Sequence, residues 1–216
     1  MRNDLYQREL ERLLPARKGH FRLESGHHGD LWLDLELLFF RPAEIRPLAE
    51  ELARTLSKYS VEAVCGPLVE GAFLASMVAP ELAVPFTYTE GKVVSDATRL
   101  FPSDRLFPVE YVLPPALRLE LNGRRVAIVS DVINAGSAVR GTLRSLRECG
   151  AEPVAVGTLA VLGDSAAKLA GEAGIALEAL ASLPNEIWIP SECPLCARRV
   201  HLNDPRELGK RRYNSN

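Results

Sequence analysis

The run Val126-Ala127-Ile128-Val129, followed by Ser130-Asp131-Val132-Ile133-Asn134-Ala135-Gly136-Ser137-Ala138, constrains this chain more than any other stretch. Four apolar residues, three of them β-branched, stand behind Gly123-Arg124-Arg125 and read as a central strand buried on both faces. An acid ends the strand. Asn134-Ala135-Gly136-Ser137 is then small enough for backbone to approach a ligand, and Gly136 is free to take dihedrals that other residues avoid. Val139, Thr142, Leu143 and Leu146 recur at helical spacing up to Gly150. An anion at that helix N-terminus meets unpaired NH groups and the positive end of the dipole. Asp131 is placed for sugar hydroxyls or for the water of a bound cation. The same residues also suit a plain strand-turn-helix in which Asp131 caps the helix. The spacing matches neither G-x-x-x-x-G-K-[ST] nor G-x-G-x-x-G, which argues against a P-loop or a dinucleotide fold.

The rest of the chain repeats this alternation. Leu10, Leu13 and Leu14 sit among charges in a short amphipathic helix closed by Pro15. Alternating residues on either side of Ser25-Gly26-His27-His28-Gly29 read as a hairpin, and Pro42 opens a helix carrying Leu48, Leu52 and Leu56. A strand at 61–64 runs into Gly66-Pro67-Leu68-Val69-Glu70-Gly71 and a further helix, and another strand covers 84–88. No period holds between Glu90 and Asn122, where Pro102, Pro108, Pro114 and Pro115 suggest a long irregular excursion or loose hairpin. Strand, helix, strand, helix and strand follow from 125 to 180. Such alternation predicts an α/β fold with a largely parallel central sheet flanked by helices. Two strand-to-helix turns of one open parallel sheet can converge at the strands' carboxyl ends.

With 216 residues and 47% hydrophobic content the chain can bury a full core in one domain. A single domain over 1–182 and a tail over 183–216 are expected. Twenty-six basic against 28 acidic residues leave a net charge of -2, which speaks against nucleic acid or a membrane surface as partner. No run approaches the ~20 apolar residues of a membrane span, so a soluble cytoplasmic protein is expected. Four cysteines are too few for a disulfide framework, and Cys65 and Cys149 read as small buried residues. Cys193-Pro194-Leu195-Cys196 has the spacing at which two thiolates share one tetrahedral zinc ion. His201 alone lies near enough in sequence to be a third ligand. A complete site then needs Cys65, a carboxylate or another subunit.

Three motifs, spread in order over roughly residues 15 to 165, resemble the type I phosphoribosyltransferases, most closely the orotate enzymes. The 126–138 segment is similar to their loop for phosphoribosyl pyrophosphate (PRPP), with Ser130 where the family has a first acid and Asn134 where it has Thr. The resemblance implies that Ser130, Asp131, Val132 and Ile133 belong to the PRPP site, with Asp131 on the ribose hydroxyls. It also implies that the NH groups of Asn134, Ala135, Gly136, Ser137 and Ala138 hold the 5′-phosphate. Gly66, Pro67, Glu70 and Gly71 match the diphosphate loop, Glu70 being an unusual acid there. Gly19-His20-Phe21-Arg22-Leu23-Glu24-Ser25-Gly26 resembles the turn used near the pyrimidine, which makes Ser25, Gly26, His27 and His28 base-site candidates.

In the family a mobile loop supplies cations across a dimer; here Lys92, Arg99 and Arg105 stand for them, and no histidine lies between Glu90 and Asn122. Asp131, Arg99 and Arg105 are the catalytic candidates. The resemblance implies an N-terminal hood over residues 1–40, a homodimer, and transfer of ribose 5-phosphate from PRPP, with Mg2+, to a nucleobase, orotate first, as in pyrimidine biosynthesis. A different base, or a PRPP-binding sensor with the same fold and little turnover, are the alternatives.

Overall fold

The computed structural model describes residues 2–93, 106 and 109–204. Helix α1 (Arg2–Leu13) precedes a hairpin of β1 (Ala16–Arg22) and β2 (His28–Leu33), and α2 (Pro42–Leu56) leads into the main sheet. There β3 (Ala63–Pro67), α3 (Glu70–Leu82) and β4 (Phe86–Val93) form one unit. After β5 (Val109–Val112) and α4 (Pro115–Leu121), the second unit comprises β6 (Arg125–Ile133), α5 (Ser137–Glu148), β7 (Glu152–Leu162), α6 (Ser165–Ala173) and β8 (Ala176–Leu183). A two-residue β9 (Ile187–Trp188) and a single helical turn, α7 (Pro194–Ala197), close the described chain.

The six main strands run in the order β5-β4-β3-β6-β7-β8, and a separate sheet has the order β1-β2-β9. All neighbours of the larger sheet are parallel except β4 and β5, where Glu90 faces Val112 and Val93 faces Val109. Period-two alternation sorts each central strand between two cores. Val64, Ala127 and Val129 pack with Leu48, Leu52, Leu74 and Val78 from α2 and α3. Ala63, Cys65, Val126 and Ile128 turn the other way, towards Leu121, Leu143, Leu146 and Leu169. Burying each Leu or Ile side chain contributes about 1.5–3 kcal/mol, so two covered faces hold the central strands in place.

The 90–122 segment is more regular at both ends than its sequence suggests. β4 continues through Val93 and pairs with β5, so the hairpin alternative describes the ends that are seen. α4 has no sequence-based counterpart. Pro114 and Pro115 read as breakers, yet they are the N-cap and first residue of this helix, where a missing NH costs nothing.

The connections from β3 and from β6 depart in opposite directions across the sheet, which makes β3 and β6 adjacent strands at a topological switch point. A crevice forms there because the two following turns diverge. Gly66, at the end of β3, allows α3 to approach: a Cβ on it would lie 2.5 Å from the Gly71 carbonyl oxygen and 2.7 Å from the Ala72 Cα. No helix among the described residues is long and apolar enough to cross a membrane.

Candidate active site

A cleft of about 240 Å3 opens at this switch point, on the scale of a small-molecule site. Three segments form most of its lining, Pro67 to Gly71 after β3, Ser130 to Val139 around the end of β6, and Leu23 to Ser25 with Leu31 to Leu33 of the small sheet, and Leu35, Tyr111 and Leu162 complete it. The first two touch, since a Cβ on Gly71 would stand 3.4 Å from the Ser130 Cα.

Asp131 is the central side chain. It is 7% exposed, and its Oδ1 lies 3.4 Å from the donating Ser130 hydroxyl. Oδ2 is buried and has no hydrogen-bond partner. Burial pushes its carboxyl up to about 7, with the charge of Glu70 adding to the rise and backbone NH groups opposing it. Thr158 on β7 fixes the strand below by donating its hydroxyl to the Asp131 carbonyl at 2.9 Å. On a residue that lines the cleft, a carboxylate oxygen without a partner has acceptor capacity left for a ligand hydroxyl or a hard cation.

The turn after β6 is built around Gly136, whose φ of +77° favours glycine and whose Cβ position is 3.0 Å from Leu169 Cδ1. Gly136 is also the N-cap of α5 and supplies no side-chain cap. The first-turn NH groups of α5 therefore remain open to an anion. Asn134 is held by Asn185, whose Nδ2 donates to its Oδ1 at 3.1 Å. α3 likewise begins beside the cleft without a side-chain cap, at Val69 and Glu70.

The small sheet forms the opposite wall. Ser25 lies in the β1–β2 turn, 3.0 Å by its Oγ from the His27 Nδ1. Glu24 accepts a hydrogen bond from the Tyr111 hydroxyl at 2.9 Å and one from Ser137 at 3.3 Å, linking the turn to β5 and to α5. Trp32 also lines the cleft and packs against Phe21 at 5.8 Å between ring centroids. Glu24, Trp32 and Tyr111 were not picked out from the sequence. The aromatic beside a Ser-Gly turn was the available signal for Trp32, whereas the other two depend on contacts across more than 80 residues.

The sequence candidates divide accordingly. Ser25, Pro67, Glu70, Gly71 and the whole of 130–138 surround one cleft. Gly66 lies beneath it as a packing residue, and Lys92 is exposed on β4 without lining it. Gly26, His27 and His28 are absent from the lining. His28 points elsewhere, its Nδ1 lying 3.1 Å from the His20 Nε2 and 3.3 Å from the Cys196 Sγ. Arg99 and Arg105 lie outside the described residues. Among the described lining residues three are acids and none is a lysine or arginine.

Cys193 and Cys196 do meet histidines, though not the one nearest in sequence. His20 and His28 join them, with all four ligand atoms within 4.8 Å of one another, whereas His201 and Cys65 are not in the group. Cys65 is fully buried in the second core.

Comparison with known proteins agrees with the fold. The family described as the phosphoribosyl transferase domain matches residues 41–176. The orotate phosphoribosyltransferase of Thermotoga maritima is 31% identical over 201 residues, covering 93% of this chain and 96% of the relative. Among solved structures, orotate phosphoribosyltransferase from Aeropyrum pernix superposes with a TM-score of 0.58 at 21% identity, over 85% of this chain and 94% of that one. Adenine phosphoribosyltransferase from Thermoanaerobacter pseudethanolicus gives a TM-score of 0.62 at 18% identity, over 82% and 99%. At such identities the two structures speak for the fold alone.

Proposed function

The chain belongs to the phosphoribosyl transferase domain family, an enzyme family of transferases, and from that premise we propose that it transfers ribose 5-phosphate from PRPP to orotate, releasing diphosphate. The observation that carries this reading is the meeting of two uncapped helix-initiating turns around the Asp131 carboxylate, one oxygen of which has no partner. The orotate relative, aligned over nearly the whole of both chains, supports the choice of base.

Each part of PRPP has a matching surface. The first-turn NH groups after Gly136 hold the 5′-phosphate, and Asp131 accepts from the ribose hydroxyls. The Pro67 to Gly71 turn faces the diphosphate. Ser25 and Trp32, on the opposite wall, take the base. Leaving-group departure from ribose C1 separates charge, so the residues act by positioning and electrostatics and few proton transfers are needed.

A cleft with Glu24, Glu70 and Asp131 and no described cation repels a polyanion by itself. The donor set suits a hard divalent ion: Asp131 and Glu70 offer carboxylate oxygens, one of them unpaired. Those two residues would hold Mg2+, which supplies charge neutralisation at the diphosphate when bound. Arg99 and Arg105 are the proposed complementary cations.

The buried Ser130, at the place of the first acid in the PRPP loop that this segment resembles, favours as a second reading a protein that binds PRPP with little turnover. Incubation with PRPP, Mg2+ and orotate, followed by orotate absorbance, separates the two. Loss of orotate absorbance supports the transferase. Thermal stabilisation by PRPP without turnover of orotate supports the binder, and turnover of another base instead redirects the substrate. Asp131→Ala abolishes PRPP binding under every reading; unchanged affinity refutes this placement of the site.

A further inference from the structure

Outside the cleft lining, His20 and His28 of the β1–β2 hairpin and Cys193 and Cys196 bring two imidazole nitrogens and two thiols to one point. The geometry points to a structural zinc site with these four ligands, fastening the C-terminal segment to the hairpin. The proposal is independent of what the cleft binds.

Distances support a shared ion. Tetrahedral zinc with Zn–N of about 2.0–2.1 Å and Zn–S of about 2.3 Å separates its ligands by about 3.3 Å between nitrogens and about 3.6 Å between nitrogen and sulfur. Here His20 Nε2 lies 3.1 Å from His28 Nδ1, 3.4 Å from Cys193 Sγ and 3.7 Å from Cys196 Sγ, and His28 Nδ1 lies 3.3 Å from Cys196 Sγ.

Tautomer logic strengthens the case. The other ring nitrogen of His20, Nδ1, is 2.8 Å from the Val200 carbonyl, an acceptor only, so Nδ1 carries the proton. Nε2 then presents a lone pair, which three further groups approach. One lone pair cannot accept from three neighbours at once, whereas a cation at that point is shared by all four ligand atoms. A carbonyl fixing the remote ring nitrogen is also the usual outer support of a metal-bound histidine.

The surrounding backbone is shaped to deliver these ligands. β1 carries a bulge between Lys18 and Phe21, which contains His20, and bulges re-aim side chains. The backbone freed there is taken up by Asn203: its Oδ1 accepts from the His20 NH at 2.9 Å, and its NH donates to the His20 carbonyl at 2.7 Å. β9 pairs with β2 at His28 and Gly29, bringing 193–196 alongside. Three ligands are buried and Cys196 is at the surface, which leaves an entry path. Two thiolates and two imidazoles with no open position suit zinc in a structural role. On binding, each thiol releases its proton to water as the Sγ–metal bond forms.

The full chain, reduced and purified after expression with added zinc, is expected to carry about one zinc per molecule by mass-spectrometric metal analysis. Co2+ in its place gives the visible bands and thiolate charge-transfer absorption of a tetrahedral site. Cys193→Ser with Cys196→Ser loses the metal and lowers the melting temperature by roughly 5 °C or more. If that variant does not fold, the wild type still decides: zinc shields Cys193 and Cys196 from alkylation, and chelation exposes them. A reduced chain that takes up neither ion, or equal labelling of both cysteines before and after chelation, overturns the proposal.

Discussion

The Tyr111 hydroxyl donates to both carboxylate oxygens of Glu24, at 2.9 and 3.1 Å, and so ties β5 to the turn that forms the wall of the cleft. Burial and the Glu24 charge push the phenol well above its usual range, which keeps it a donor. Gly141 makes the approach possible, since a Cβ there would meet Tyr111 Cβ at 2.9 Å.

Tyr111→Phe keeps the buried ring and removes only this bond. Because Glu24 is exposed, the expected loss is about 1 kcal/mol, or a melting temperature lower by about 2–4 °C for a chain of this size. Glu24→Gln combined with Tyr111→Phe is expected to cost less than the sum of the two single changes, and strict additivity in denaturant titrations would show that the pair is uncoupled.

Asp131 predicts a pH dependence of the ligand-free protein. Burial pushes its carboxyl up to about 7 in the folded chain, against the ordinary 3.8 of an exposed aspartate, so between these limits the folded chain holds more protons than the unfolded one. Stability from this group therefore falls as pH rises from about 4 to 7 and is level on either side. The full span is up to about 4 kcal/mol. Asp131→Asn removes the effect, so its melting temperature relative to wild type is expected to rise between pH 4 and 7 without PRPP or Mg2+. A constant difference across that range would mean that Asp131 is solvated in solution.

Two glycines predict opposite outcomes. Gly66→Ala drives a methyl group into the backbone of α3 and is expected to cost about 1–3 kcal/mol and to displace the Pro67 to Gly71 turn. Gly171→Ala, inside α6 with nothing within 4 Å, is expected to stabilise by about 0.5–1 kcal/mol. Urea titrations measure both, and equal effects would contradict the packing at β3.

Much of the site was legible because it is local. The strand into Asp131, the turn at Gly136 and the helix from Ser137 occupy consecutive residues, and hydrophobic period with small-residue chemistry specifies each. The second turn at Gly66 to Gly71 was readable on the same grounds. Elsewhere local signals pointed the other way: Pro114 and Pro115 resemble breakers until the helix they start is seen, and His28 beside a Ser-Gly turn resembles a base-site residue until its partners are seen.

By itself the sequence determined the order of strands and helices outside 90–122 and the C-terminal tail, and the small-residue character of both turns, since these follow from side-chain period and backbone freedom. Only the tertiary structure decided that the two turns meet at a switch point and that Glu24 belongs to Tyr111 and Ser137. It alone joined His20 and His28 to cysteines more than 160 residues away. Those pairings come from sheet order and from a tail folding back over a hairpin, and no short-range pattern encodes them.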